Sequence, residues 1–210
     1  MKKKSQKTLA ISIVIPMRNS ASTILKTLDG IRMQTYPVVE TIHKDNICDT
    51  VIAPAPISKE ARLNAEKLAK KVVSKLGGAG VFGIEMFLKK DNTVLVNEIA
   101  PRVHNAGHYT IEGNETSQFE QHIRAICNLP LGNTRMTTKF AVMKNILGRK
   151  DGDGFPRGIE KALKIKGVSV HIYGKKGSRL ARKMGHITVL GNSISECLIK
   201  ANKARNLINI

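Results

Sequence analysis

The chain has no tryptophan, and aromatic residues make up only 4% of its 210 positions. Flat side chains on which unpaired bases could stack are therefore scarce, which argues against a single-strand nucleic-acid surface. Acidic residues are also few, 16 against 35 lysines and arginines, leaving a formal charge of +19. A basic stripe is the electrostatic footprint of nucleic-acid binding, yet the sequence offers neither an RNA-binding signature nor a helix-turn-helix cue. Anionic small substrates would account for part of the charge, and the remainder reads as solvated surface. Cysteine is sparse: Cys48, Cys127 and Cys197 lie far apart without histidine or cysteine companions at metal spacing, which fits a reducing cytosol and excludes a zinc knuckle. No apolar run approaches the roughly 20 residues that cross a bilayer. The opening MKKKSQKTLAISIVIP is basic and then apolar, but it lacks a small-residue cleavage site, so a strand and a cytoplasmic location are expected.

The most informative stretch is residues 81–109, VFGIEMFLKKDNTVLVNEIAPRVHNAGHY. Two β-branched arms around a polar Asp-Asn turn predict a β-hairpin. Each arm carries one carboxylate, Glu85 and Glu98, among apolar neighbours, a poor place for a charge unless something compensates it. Two readings stay open on spacing alone. Carboxylates converging from adjacent strands can hold a hard cation such as Mg²⁺, or they can pair with the many lysines as structural ion pairs. Asn97 adds an amide oxygen beside Glu98, and Arg102, His104, Asn105 and His108 follow in a run broken by Pro101 and Gly107. Such donors suit an anion being activated beside a nucleotide.

Elsewhere the patterns are ordinary. Residues 1–7 form a basic tail, and residues 9–15 read as a buried strand. Asn19-Ser20 could cap a helix over residues 21–32, with Ile24, Leu28 and Ile31 on one face. Strands are expected at Val38-Val39 and at residues 50–53 around a polar turn at residues 44–46, with His43 at a strand end. Ser58 should cap a helix ended by Gly77-Gly78, with Ala61, Leu68, Val72 and Leu76 as its buried stripe. Residues 117–130 predict a second amphipathic helix, capped by Ser117, with Phe119, Ile123 and Ile126 inward and His122 and Arg124 at the surface. From Leu131 the composition shifts, and a smaller module follows. It comprises a strand over residues 137–147, a short helix at 158–164, two strands around a basic loop, and a final helix at 193–207.

Over about residues 36–200, from YPVVETIHKDNICDTVIAPAP through NEIAPRVHNAGHYT to RKMGHITVLG, the chain resembles the carboxyl-terminal half of the ATP-grasp domain of the 5-(carboxyamino)imidazole ribonucleotide synthetase family. The resemblance implies an α+β fold: an ATP-grasp carboxyl-terminal lobe at residues 36–134 and a small β-rich module at 135–210. A second resemblance covers residues 11–37, ISIVIPMRNSASTILKTLDGIRMQTYP, which look like the first strand and helix of a family 2 glycosyltransferase. It implies a hybrid start, with residues 8–35 of separate origin, although the metal-binding Asp-x-Asp element of such enzymes is lacking.

From the synthetase resemblance follow expectations for individual residues. The activity implied is ATP-dependent carboxylation of aminoimidazole ribonucleotide with bicarbonate through carboxyphosphate, in purine biosynthesis. Glu85 and Glu98 would hold Mg²⁺, with Mn²⁺ as an alternative. His43, Asn97 and Glu98 would contact ATP, and Arg102 would grip bicarbonate or carboxyphosphate as a bidentate fork. His104 and Asn105 would orient the ribonucleotide. Lys175 and Arg182 match the family's phosphate-binding pair, Lys176 being the alternative by distance to Arg182, although Leu180-Ala181 stand where the family tends to have proline and glycine. No glycine-rich phosphate loop opens a helix, since residues 77–80 follow one. The amino-terminal ATP-grasp lobe is not recognisable, so the chain is expected to be half an active site. Its expected partners are small molecules, a chain supplying the other lobe, or a second copy in a homodimer. An inactive remnant with only a binding or structural role is the alternative.

Overall fold

The computed structural model describes residues 9–19 and 31–210. The apolar alternation at the start of the chain forms strand β1 (Leu9–Asn19), which buries Ile11, Ile13, Ile15 and Met17 on one face. β2 (Ile31–Met33) runs antiparallel to the end of β1, and β3 (Val39–Lys44) pairs with its beginning. Ile31 and Arg32 are therefore strand rather than helix, and the rest of the helix expected over residues 21–32 falls outside the described residues. β3 passes through a turn, where Asp45 and Asn46 take positive φ, into β4 (Ile47–Ala53). α1 (Lys59–Leu76) follows, then the predicted hairpin as β5 (Gly80–Leu88) and β6 (Val94–Ala100). A short 3-10 turn (Asn105–Gly107), α2 (Thr110–Gly113) and α3 (Gln118–Ile126) lead to β7 (Phe140–Leu147). α4 (Ile159–Leu163), β8 (Val168–Ile172), β9 (Lys183–Gly191) and α5 (Ile194–Leu207) complete the chain.

Two compact units interleave along the sequence. The first takes residues up to 41, 55–107 and 118–134; the second takes 42–54, 108–117 and 135–210. Within the first unit β1 is central, pairing with β5 from Leu9↔Leu88 to Met17↔Gly80, and β6 lies outside β5. α1 covers the face bearing Ile11, Ile13, Ile15, Ile84 and Met86. Its cap is as expected: Ala61 N donates to Ser58 Oγ at 3.0 Å, and Gly77 ends the helix at φ 71°. The buried stripe is rotated from the expected one. It is Ala61, Ala65, Ala69 and Val73, while Leu68 and Val72 flank it and Leu76 is exposed. Four small residues at spacing four let the helix approach the sheet closely, which the larger leucines would prevent.

α3 departs further from its pattern. Phe119, Ile123 and Ile126 are exposed, and the inward residues are Gln118, Gln121 and Ala125. Both glutamines are fully buried and clamp loops through their amides. Gln118 Nε2 donates to His104 O at 2.8 Å and its Oε1 accepts from His104 N at 2.9 Å. Gln121 does the same with Gly132. His122 is no surface residue either, since its Nδ1 accepts from Val81 N at 3.2 Å.

In the second unit the strand order is β4-β7-β9-β8, all antiparallel, with α4 and α5 packed around Val142, Ile146, Ile187 and Val189. Asn145, wholly buried, donates to Cys48 O at 2.7 Å. Beside it Lys144 Nζ lies 2.7 Å from Asp49 Oδ2, with side chains only 11% and 13% exposed. Burial pushes the Asp49 carboxyl up, but hydrogen bonds from Lys144 and Thr50 and the Lys144 charge outweigh it and hold it below its ordinary value.

Removing one partner of a pair this far from water leaves the other uncompensated. Lys144→Met should therefore cost about 3 kcal/mol in urea unfolding at pH 7, the lower end for a buried pair. Because the folded carboxyl titrates below the unfolded one, its contribution is present above the unfolded pKa of about 4 and lost as pH falls below that toward the lower folded value. The wild-type chain should lose more stability than Lys144→Met between neutral and acid pH; equal losses would mean that the pair is not coupled to folding.

Candidate metal centre and anion-binding loop

Glu85 on β5 and Glu98 on β6 are direct register partners, so both carboxylates leave the same face of the hairpin. This is the face opposite α1, because Glu85 lies between the core residues Ile84 and Met86. The next register pair is Met86↔Val96, which leaves Asn97 as the extra residue of a β-bulge. The bulge is what turns Glu98 toward Glu85 while the apolar alternation of β6 is interrupted.

A third ligand group joins them. His104 is buried, and its Nε2 lies 3.4 Å from Glu85 Oε1. One ligand atom each from Glu85, Glu98 and His104 falls within 4.8 Å of the other two. Two carboxylates at this spacing suit a hard divalent cation, and a neutral imidazole can complete the set or hold Glu85 in place. His104 stands where it does for two reasons. Gln118 grips its backbone from both sides, and Gly83 has no side chain beneath it: a Cβ there would lie 2.5 Å from His104 Cβ. Ser12, the cross-strand partner of Glu85 on β1, has a buried hydroxyl with no hydrogen-bond partner among the described residues.

Of the residues expected at the site, the first unit brings Glu85, Asn97, Glu98, Arg102, His104 and Asn105 within one hairpin and the turn after it. Glu98 is exposed, as is Arg102, whose Nη1 donates to Val103 O at 3.0 Å. Asn105 opens the 3-10 turn. His43, exposed near the end of β3, belongs to the second unit, as do Lys175 and Arg182. Sequence reading placed His104 at the ribonucleotide and missed its place beside the carboxylates, along with Gly83, Ser12 and Gln118. Only Gly83 carried a signal, since an isolated glycine inside a strand pattern marks a close approach.

The loop between β8 and β9 holds the second constellation. Arg182 Nη1 donates to Lys176 O and Gly177 O at 2.9 and 2.8 Å, so this guanidinium braces the loop. Lys175 Nζ donates to Lys183 O at 2.7 Å and lies 5.5 Å from the centre of the Tyr173 ring. Lys176 is exposed. Ala181 takes φ 64° where glycine would be expected, so the turn forms despite Leu180-Ala181. Below the loop are stacked imidazoles. His171 and His186 are parallel at 4.4 Å, and Tyr173 Oη lies 3.0 Å from His186 Nδ1. Burial, and then the charges of His108 and His171, push His186 down to about 3, so it is neutral.

Comparison with known proteins gives the chain a family. The ATP-grasp domain family matches residues 1–119, and the phosphoribosylaminoimidazole carboxylase C-terminal domain family matches residues 141–200. A phosphoribosylaminoimidazole carboxylase of Schizosaccharomyces pombe is 47% identical over 182 residues, covering 84% of this chain and 33% of that protein. The crystal structure of N5-carboxyaminoimidazole ribonucleotide synthetase from Thermotoga maritima superposes with a TM-score of 0.82 at 47% identity, covering 96% of this chain and 52% of that one. An Aspergillus clavatus N5-carboxyaminoimidazole synthase, solved with ADP and 5-aminoimidazole ribonucleotide, superposes with a TM-score of 0.81 at 35% identity, covering 94% and 51%. The chain thus spans about a third of that curated relative and about half of the solved ones. The family match begins at residue 1, and β1 pairs along its whole length up to Met17 with β5. The glycosyltransferase resemblance of residues 11–37 is therefore not upheld, and the first strand is part of the same sheet as the hairpin. With its residues 1–119 matched, more than half of its length, the chain belongs to the ATP-grasp domain family.

Proposed function

We propose that this chain carries the metal- and ribonucleotide-binding part of an ATP-dependent carboxylation. In this reaction bicarbonate is activated as carboxyphosphate, and the exocyclic amine of aminoimidazole ribonucleotide takes up the carboxyl group. The observation that carries the proposal is the Glu85–Glu98–His104 group, whose ligand atoms lie within 4.8 Å of one another. Support comes also from the relatives named as synthetases of N5-carboxyaminoimidazole ribonucleotide, one of them solved with ADP and the ribonucleotide.

Glu85 and Glu98 would hold Mg²⁺ or Mn²⁺, with the imidazole of His104 fixing Glu85. When bound, such a cation neutralises charge growing on phosphate oxygens. Asn97, turned out of register by the bulge, and His43 would contact ATP. Arg102 offers a planar fork to bicarbonate or carboxyphosphate, which a lysine could not match. Asn105 and His104 orient the ribonucleotide, and Lys175 and Arg182 present positive charge to its phosphate. A second chain carrying the portion of the relatives not spanned here would enclose the nucleotide and exclude water. A homodimer and a cytoplasmic location complete the reading. Among the described residues no helix is long and apolar enough to cross a membrane.

The test is calorimetric titration of the chain with aminoimidazole ribonucleotide and with Mg-ATP, followed by turnover with bicarbonate after adding the remaining portion of a relative. No ribonucleotide binding would sink the site assignment, and absence of turnover in the complemented mixture would favour a binding role only. Glu98→Gln should lose metal-dependent nucleotide binding, since a neutral amide replaces a charged ligand. Arg102→Lys should leave nucleotide affinity nearly unchanged and lower turnover by the roughly 3–4 kcal/mol that a charge-stabilising donor contributes.

Gly83→Ala should keep the fold yet weaken metal binding. Its new Cβ would collide with His104 Cβ at 2.5 Å and with Cγ at 2.6 Å. The collision displaces the ring from Glu85, by analogy with the about tenfold or greater losses seen when a supporting contact of a ligand is removed. Manganese titration followed by electron paramagnetic resonance measures this, and unchanged affinity would exclude a role for His104 at the cation.

A further inference from the structure

A cluster in the second unit is not accounted for by the roles assigned so far. His171 Nε2 meets Glu112 Oε1 at 2.5 Å. The His171 ring stacks on His186 at 4.4 Å and 15°. His186 is 2% exposed, its Nδ1 bonds the Tyr173 hydroxyl at 3.0 Å, and its Nε2 has no partner among the described residues. His108 closes the other side, 5.1 Å from His186 and edge-on to Tyr173 at 6.1 Å. At the end of this chain of contacts the Tyr173 ring lies under the Lys175 ammonium.

A hydrophobic residue at position 186 would fill the same space at lower cost than a buried imidazole. A histidine there supplies a fixed hydrogen-bond partner for one phenol. Burial and two neighbouring imidazoles keep His186 neutral, and its Nδ1 shares one hydrogen bond with the Tyr173 hydroxyl. The Glu112 carboxylate holds His171 flat against that ring. Besides the ring, the Lys175 ammonium donates to the carbonyl of Lys183. Ring face and carbonyl together confine an ammonium that a free lysine would lose to solvent.

We propose that Glu112, His171, His186 and Tyr173 form a positioning network that fixes the Tyr173 ring as a platform for Lys175, so that Lys175 meets an anionic phosphate of the substrate already oriented. The link to substrate rests on the carboxylation reading above; the platform itself does not. Tyr173 and its partners are positioning residues, acting through Lys175.

The first measurement needs no ligand. Over the ring face, the ε-methylene protons of Lys175 should resonate upfield of ordinary lysines in the NMR spectrum of the full chain. Tyr173→Phe keeps the ring, removes the hydroxyl bond to His186, and should move these protons toward the ordinary lysine position, as Tyr173→Leu should completely. An unchanged shift in Tyr173→Phe would overturn the network, because the ring would then hold its place without His186. The second measurement is affinity for aminoimidazole ribonucleotide by calorimetry. Tyr173→Leu should weaken binding about threefold to fivefold, the scale of an exposed cation–π contact. In a Lys175→Met background the same change should have no further effect, whereas a merely structural role would make the two losses additive. If the unaltered chain does not bind the ribonucleotide, the carboxylation reading fails while the spectrum still decides the platform.

Discussion

Two glutamates set directly opposite each other on neighbouring strands repel, and like charges in that position destabilise a sheet. Glu85 and Glu98 are such a pair, and much of the first unit can be understood as what makes the pair tolerable. The bulge at Asn97 gives Glu98 its orientation, the buried His104 brings a donor to Glu85 at 3.4 Å, and Gln118 holds the His104 backbone. A cation would relieve the repulsion better than an imidazole can, since it carries full charge at the point of convergence. The hairpin is thus built around a debt of charge that its own residues settle only in part.

The residues that settle it are mostly polar and buried, and this explains what the sequence could and could not reveal. Strand and helix positions followed from alternation, caps and glycines: β5 and β6, α1 with its Ser58 cap, and the β7 to α5 series lie close to their expected places. Which face of a helix turns inward was less legible. In α1 the apolar pattern offered Leu68 and Leu76 as well as the alanines, and only the closeness of the sheet selects Ala61, Ala65, Ala69 and Val73. In α3 periodicity pointed the wrong way altogether. Phe119, Ile123 and Ile126 form the better apolar stripe, yet Gln118 and Gln121 are buried because irregular backbone at His104 and Gly132 needs amide partners.

The site divides along the same line. Glu85, Glu98 and Arg102 stand out as charged residues in an apolar hairpin, and the family resemblance over NEIAPRVHN implied roles for them. The convergence of His104 on the carboxylates depends on a three-dimensional coincidence between a turn six residues beyond Glu98 and a glycine one strand away. No local window contains both. The misreading of residues 11–37 has a similar origin: a buried strand of β-branched residues is common to many α/β folds, so ISIVI carries little information about which sheet it joins. Its pairing with β5 decides the matter.

The two histidine environments show how burial assigns different work to one residue type. His104 keeps a ring nitrogen toward a carboxylate, 3.4 Å from Glu85 Oε1. His186 is wedged between two imidazoles with only a phenol at Nδ1, and its proton affinity collapses. A neutral ring held this way is a rigid hydrogen-bond partner for the Tyr173 hydroxyl near neutral pH. What carries positive charge in the second unit's loop is accordingly moved outward to Lys175, Lys176 and Arg182, where water and backbone carbonyls share it. Arg182 is largely occupied in bracing Lys176 and Gly177, and Lys176 is free of any ring platform among the described contacts. Lys175 instead lies between the Lys183 carbonyl and the face of the Tyr173 ring.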